Sequence, residues 1–441
     1  MGDGQPEGHV SRAIKHFEQI DKIRKVTDME FIRGNAIVGQ SGGPTTAINA
    51  TLAGVIKGAM ASEYIGKVYG MKNGIDGLLA DTVIELDPYF NAEADFERLK
   101  RTPAAALGSC RKKLPKESDE SYKETFEKLI ERFKKYDIRY FFYIGGNDSM
   151  DTVAKLSKYT TECGYEIRVI GVPKTVDNDL LGTDHTPGFG SAAKYISVTM
   201  QEMLRDTAVY TVPAVTIVEI MGRDAGWLTA SSALGRVLGL PYPDLVYLPE
   251  RSFDMEEFFE DVRASLEKKP NVVVAVSEGL QFADGRYVGE STQGGAVDAF
   301  GHKYLAGTGK ALELAVKDRI GCKVRSVELN LPQRCAAHIA SLCDIEESYG
   351  VGQAAVSAAV QGVSREMMVI LRNSEIGEEY SSVYGHMDID LIANKTKYVP
   401  KHYINDRGNQ VTDECLKYIL PLVEGECYPE YKDGLPVFFE F

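Results

Sequence analysis

Two short segments carry most of the residues fit for chemistry: Gly145-Gly146-Asn147-Asp148-Ser149, and Pro173-Lys174-Thr175-Val176-Asp177-Asn178-Asp179. Glycines let backbone N–H groups close on the oxygens of an anion. Carboxylates at Asp148, Asp177 and Asp179 are hard oxygen ligands of the kind that hold Mg²⁺ against phosphate. Lys174 is suited to neutralising charge on a transferring phosphoryl group, and Asp177 to accepting a proton from an attacking hydroxyl. The combination predicts metal-assisted phosphate chemistry. Ser149 or Asp148 as a helix N-cap, and residues 177–179 as an acidic turn, are the plainer alternatives. Four charged groups grouped near strand ends would be a costly way to cap helices.

A second glycine turn, Ser41-Gly42-Gly43, follows another apolar run. It matches neither the G-x-G-x-x-G fingerprint nor the G-x-x-x-x-G-K-[ST] loop. It stands either as a phosphate cradle or as a tight turn without a ligand. Arg111 and Arg223 sit directly at glycine turns, while Arg325 and Arg334 flank Leu329-Asn330-Leu331-Pro332. Taken singly, an arginine of this kind is solvated or structural; taken together they are the groups available to hold an anionic substrate. Glu278 ends a continuous apolar run at residues 272–276, a place where a sugar hydroxyl can be met. Trp227 reads as packing.

These residues need rigid elements behind them. Each of the three segments ends a β-rich run, at residues 35–38, 138–144 and 167–172, two of them through glycine turns. Residues 47–56 give a helix face, 68–69 a strand and 73–77 a turn. A second series runs through a helix over 191–205, then strands over 214–220, 245–248 and 272–276. Strand, glycine turn and helix in alternation are βαβ grammar, which favours parallel sheets covered by helices on both faces. The expected fold is α/β, with two similar Rossmann-like lobes, mostly parallel sheets and the site in the cleft between them. Residues 1–30 read as a polar, helix-prone extension.

The bulk composition narrows the function classes. A chain of 441 residues with 26% charged and 44% hydrophobic residues is an ordinary globular composition, long enough for two lobes. A formal charge of −14 argues against a nucleic-acid partner, which needs a basic surface. There is no apolar run of membrane-spanning length, and the N-terminus is too charged for a signal peptide. The seven cysteines include no Cys-x-x-Cys pair, so reduced thiols in a cytoplasmic protein are expected.

With these motifs assembled, the chain resembles the phosphofructokinase family over about residues 35 to 365. Gly42-Gly43, Gly145-Gly146, Thr175-Val176-Asp177-Asn178-Asp179, Met221-Gly222-Arg223 and Glu278-Gly279 follow in family order and spacing. The resemblance implies Asp177 as the base for the 1-hydroxyl of fructose 6-phosphate, with Lys174 and Asp148 beside it. It implies Thr175, Val176, Met221, Gly222, Arg223, Glu278, Arg325 and Arg334 as sugar-phosphate contacts. Gly42, Gly43, Arg111, Gly146 and Lys174 fall to the donor phosphates, and Asn147, Asp148 and Asp179 to Mg²⁺. It further implies a donor lobe of 31–188 plus about 334–385, and a sugar lobe of 189–333 plus about 386–441. A homodimer or homotetramer is expected, without nucleic acid or membrane.

Two positions bear on the donor. ATP-using relatives commonly have glycine at Asp148 and a small residue at Lys174. A carboxylate about 4 Å from a nucleotide α-phosphate repels it by roughly 4 kcal/mol at an effective dielectric near 20. The pair resembles the branch of the family that uses pyrophosphate. Asn147 stands where relatives usually have a metal-binding aspartate. Leu331 replaces a histidine that contacts the sugar phosphate, and Ala214 an arginine that reaches a neighbouring subunit. An ATP-dependent enzyme, a non-catalytic regulatory subunit and a kinase of another sugar phosphate, such as sedoheptulose 7-phosphate, are the rival readings.

Overall fold

The structure is a computed structural model and describes residues 31–292 and 307–441. The extension expected over residues 1–30 lies outside them. Its first sheet takes β1 (Gly34–Gln40), β2 (Ile65–Met71), β3 (Val83–Glu85), β4 (Ile138–Gly145) and β5 (Arg168–Pro173). Glu366–Arg372 and Ser382–Asp388 complete seven strands, in the order 382–388, 366–372, β5, β4, β1, β2, β3. All neighbours are parallel except at the two edges, where β3 and Ser382–Asp388 run antiparallel. The second sheet is parallel throughout. It holds β6 (Ala214–Ile220), β7 (Leu245–Tyr247), β8 (Asn271–Ser277) and β9 (Lys323–Glu328) in the order β7, β8, β6, β9.

Burial explains why the central strands are nearly unbroken apolar runs. Every residue of β8 is buried, and in β4 only Arg139 is not, as parallel strands covered on both faces require. On one side of the first sheet, helix Ile48–Met60 crosses helix Leu342–Val360 at close range. A Cβ on Gly54 would lie 2.0 Å from the Tyr349 carbonyl oxygen, so only glycine permits this crossing. Residues 73–77, expected as a turn, instead open the short helix Gly74–Leu79. Asn73 and Gly74 both take the left-handed conformation (φ 58° each) and make the turn together, after which the chain coils.

The chain weaves between the two sheets. After the strand Ser382–Asp388, residues Val399, Tyr403, Cys415, Leu416 and Tyr418 join the core of the second sheet. The tail then returns to the first lobe, where Phe439 stacks on Phe90 at 5.4 Å. Among the described residues, no helix is long and apolar enough to cross a membrane.

Candidate active site

Strands β1, β4 and β5 are adjacent and parallel, so their carboxyl ends lie side by side. Helix Ile48–Met60 follows β1 and leads to β2 on one side, while β4 lies on the other. This is the reversal in strand order at which open α/β sheets bind ligands. The Gly42-Gly43 turn, the Gly146-Asn147-Asp148 helix start and the Lys174–Asp179 loop all emerge there. The sequence order alone could not guarantee this juxtaposition; the topology does.

Lys174 is the link between the three. It is 3% exposed, and its ammonium donates to the Gly43 carbonyl at 2.6 Å. Its own N–H donates to the Gly145 carbonyl at 3.0 Å. Burial lowers its pKa to about 8, although Asp177 and Asp179 favour its charged form. Gly42 has φ +78° and donates its N–H to the Cys110 carbonyl at 3.1 Å, which docks the loop carrying Arg111 onto the turn. The Arg111 charge acts on both Lys174 and Arg334. Arg334 itself closes on the turn, with its Nη1 3.2 Å from where a Cβ of Gly43 would stand.

Asp177 lies deep in the loop after β5. Thr175 Oγ1 accepts its N–H at 3.1 Å. Burial raises its pKa, opposed by the charges of Arg223 and Lys174. Asp179 is raised to about 7, chiefly by burial and then by the charge of Asp177. The two acids therefore compete for ionisation.

The second sheet contributes the facing wall. Ile220 and Ser277 pair at the ends of β6 and β8, so Met221-Gly222-Arg223 and Glu278 also emerge together. The Glu278 carboxylate accepts the Gly222 N–H at 3.2 Å, and burial pushes its pKa up to about 8. Gly222 has φ +133°, and a Cβ there would lie 2.5 Å from the Ala225 carbonyl oxygen. The charge of Arg223 acts on Asp177 and on Glu278, and that of Asp177 on Arg334, so the two walls meet electrostatically. Arg223 Nε is buried without a hydrogen-bond partner among the described residues, poised for an anion.

Two expected contacts fall elsewhere. The Val176 side chain is 7% exposed and packs into the core of the second sheet. Arg325 lies on the exposed edge strand β9 opposite Thr216, four residues short of Ile220, or about 13 Å of strand. It does not join the other arginines within one chain. Leu331 is also exposed.

Asp148 differs from its neighbours. Its side chain remains 27% exposed and pairs with Lys113 at 3.0 Å. Sequence reading singled out only Arg111 here, although Arg111-Lys112-Lys113 after the Gly108 turn was the available signal. Gln333 was also missed. Its amide oxygen accepts the Met221 N–H at 3.0 Å and so holds the second wall in place.

A cation has a place at the first wall. Among the described residues, no three His, Cys, Asp or Glu side chains form a metal cage. The Asn147 Oδ1, however, is buried and accepts no hydrogen bond among them. An orphaned amide oxygen beside Asp148 fits an ion that takes few protein ligands and completes its shell with water and phosphate.

Comparison with known proteins accords with this geometry. The phosphofructokinase family model matches residues 35–358. The pyrophosphate–fructose 6-phosphate 1-phosphotransferase of Halomonas elongata is 40% identical over 406 residues, covering 91% of this chain and 94% of its own. The enzyme of that name from Xanthomonas campestris pv. campestris is 41% identical over 406 residues, covering 91% and 95%. The crystal structure of a pyrophosphate-dependent phosphofructokinase from Nitrosospira multiformis superposes with a TM-score of 0.82 at 40% identity, covering 92% of this chain and 96% of that one. On fold, site layout and sequence alike, the chain belongs to the phosphofructokinase family.

Proposed function

We propose that this chain transfers a phosphoryl group from pyrophosphate to the 1-hydroxyl of fructose 6-phosphate, giving fructose 1,6-bisphosphate and phosphate. The observation that carries the reading is Asp177, set between the Lys174 and Arg223 cations at the meeting of the two walls. Relatives about 40% identical over nine-tenths of the chain bear the name of this activity, which supports it.

In this reading Arg223, Arg334 and Glu278 hold the sugar phosphate, with Gly222 and Thr175 shaping the cleft around it. Asp177 takes the proton as the sugar oxygen bonds to phosphorus. The bond between that phosphorus and the bridging oxygen breaks, and phosphate departs. Lys174, Arg111 and the Gly42-Gly43 turn receive the charge of the donor. Asn147, Asp148 and Asp179 are the residues that would hold Mg²⁺, which would supply charge neutralisation. The reaction is reversible because pyrophosphate and phosphate differ little in transfer potential.

The first sheet forms the donor lobe and the second the sugar lobe. The exposed position of Arg325 supports a homo-oligomer, in which it would serve a neighbouring copy, and a cytoplasmic location suits the substrates. Purified protein with fructose 6-phosphate, Mg²⁺ and either pyrophosphate or ATP, read through coupled aldolase, tests the reading. Turnover with pyrophosphate is expected. Turnover with ATP alone would reverse the donor assignment, and none with either would favour a regulatory subunit.

A further inference from the structure

The loop that carries Asp177 is held from behind by a residue outside the region matched by the family model. Asn178, between the two acids, is fully buried and takes the left-handed conformation at φ 54°. After glycine, asparagine is among the residues that most readily take that conformation, because its short amide can hydrogen-bond to its surroundings. Both ends of the Asn178 amide are engaged. Its Nδ2 donates to the Tyr418 hydroxyl at 3.2 Å, and its Oδ1 accepts from the Lys397 ammonium at 3.1 Å.

Lys397 is committed to this loop. Besides Asn178, its ammonium donates to the carbonyls of Thr183 (3.3 Å) and Asp184 (2.5 Å). Its backbone N–H donates to the Asp179 carbonyl at 2.8 Å. The same short segment reaches the opposite wall. Trp227 Nε1 donates to the Lys397 carbonyl at 3.1 Å. The Val399 N–H and the Gly226 N–H both donate to one oxygen of Glu250, each at 2.9 Å. Residues 397–399 therefore bridge the Asp177 loop and the turn that carries Arg223.

We propose that Lys397 is a positioning residue: by holding Asn178 left-handed and anchoring residues 179–184, it aims the Asp177 carboxylate at the substrate bound by the Arg223 wall. The Lys397 ammonium makes its hydrogen bonds to Asn178 and to the Thr183 and Asp184 carbonyls, and reaches Asp177 through them. The inference rests on the proposed phosphotransfer for its kinetic test, but its structural test is independent of activity.

The structural test is hydrogen exchange of the full chain. In Lys397→Met, amides of residues 175–180 should exchange at least about 10-fold faster, while those of β8 keep wild-type protection. Unchanged protection of residues 175–180 would overturn the proposal, whatever the enzyme does with pyrophosphate. In the kinetic test, kcat should fall about 30-fold at a temperature well below the variant's Tm, with the KM for fructose 6-phosphate within about threefold. Asn178→Gly, which keeps positive φ but loses both hydrogen bonds, should cost little more when added to Lys397→Met than when Lys397→Met stands alone. Wild-type kcat in Lys397→Met, or full additivity with Asn178→Gly, would overturn it. If Lys397→Met does not fold, Tyr418→Phe removes the other partner of Asn178. Both readouts should then shift in the same sense, and their failure to do so would count against the proposal. A wild-type chain inactive with pyrophosphate sinks the functional reading and leaves the exchange result to decide this one.

Discussion

Two acids end neighbouring strands of one sheet, yet they live in different environments. Asp177 follows β5 and is enclosed by Thr175, Lys174 and the facing Arg223, with a hydrogen-bonded network behind it. Asp148 follows β4, stays 27% exposed and leans on Lys113, itself 47% exposed. In the proposed reading, the contrast separates two jobs. A group that moves a proton in the transition state needs fixed geometry and a tuned pKa, which burial supplies. A group that selects among donors needs only to present charge and bulk at the mouth. Lys113 also modifies the expected rejection of ATP. In the proposed reading, the ion pair offsets part of the repulsion between Asp148 and a nucleotide phosphate.

The contrast can be broken at either end. The largest effect is expected at the buried acid: Asp177→Ser should lower kcat by roughly 10³-fold with fructose 6-phosphate binding by calorimetry nearly intact. Equal losses in binding would make Asp177 a substrate ligand instead. Lys174→Met should lower kcat/KM for pyrophosphate by about 10²-fold. In the wild type the same parameter should decline above pH 8, where the buried lysine loses its proton. A profile flat to pH 10 would contradict that.

Behind the buried acid, His185 lies 2.9 Å from Asp184 and 2.7 Å from Glu347. Burial opposes its charge, but the two carboxylates win and raise its pKa to about 9. A folded-state pKa above the unfolded value gives stability that is fully present below pH 6.5 and lost as pH rises through 9. The loss should be on the order of 3 kcal/mol, and Tm should fall across that window. In His185→Gln the Tm decline between pH 6.5 and 9 should flatten; an unchanged slope would show that the imidazole is neutral.

Smaller effects are expected at the exposed acid. Asp148→Gly should weaken pyrophosphate use about 10-fold and admit measurable ATP turnover, whereas wild-type pyrophosphate kinetics would remove Asp148 from donor selection. Lys113→Met should change stability by less than about 1 kcal/mol, as the loss of a half-exposed ion pair does. It should also strengthen the rejection of ATP by baring the carboxylate, an effect read as the ratio of the two donors' kcat/KM.

The sequence revealed the parts of the site that combine two signals, an apolar run and a glycine turn at its end. That is why β1, β4, β6 and β8, with Gly42, Arg223 and Glu278, are legible in the sequence, while β5 and Asp177 are marked instead by the charged loop that follows an apolar run. Arg325 was legible as a charged residue near the site but not as one on an edge strand, because both have the same local pattern. Val176 misled because adjacent residues in a loop share a motif but not a direction. Lys397 had no local signal at all. It is one lysine in a polar stretch, and only the return of the chain behind β5 gives it partners. The strands Glu366–Arg372 and Ser382–Asp388 were missed for a related reason, since the nearer of them pairs with a strand that ended about 190 residues earlier.

That late completion sets a schedule for synthesis. β5 pairs with β4 on one side, but its other neighbour, Glu366–Arg372, is translated about 190 residues later. At about 5–20 residues per second the unfinished edge of β5 stands open for roughly 10–40 s. During that interval a nascent chain offers unpaired backbone beside the very loop that bears Asp177, and such edges recruit strands from other chains. Yield should therefore depend on how the ribosome and its attendant chaperones shield that edge, a demand placed on the cell by strand order rather than by the finished enzyme.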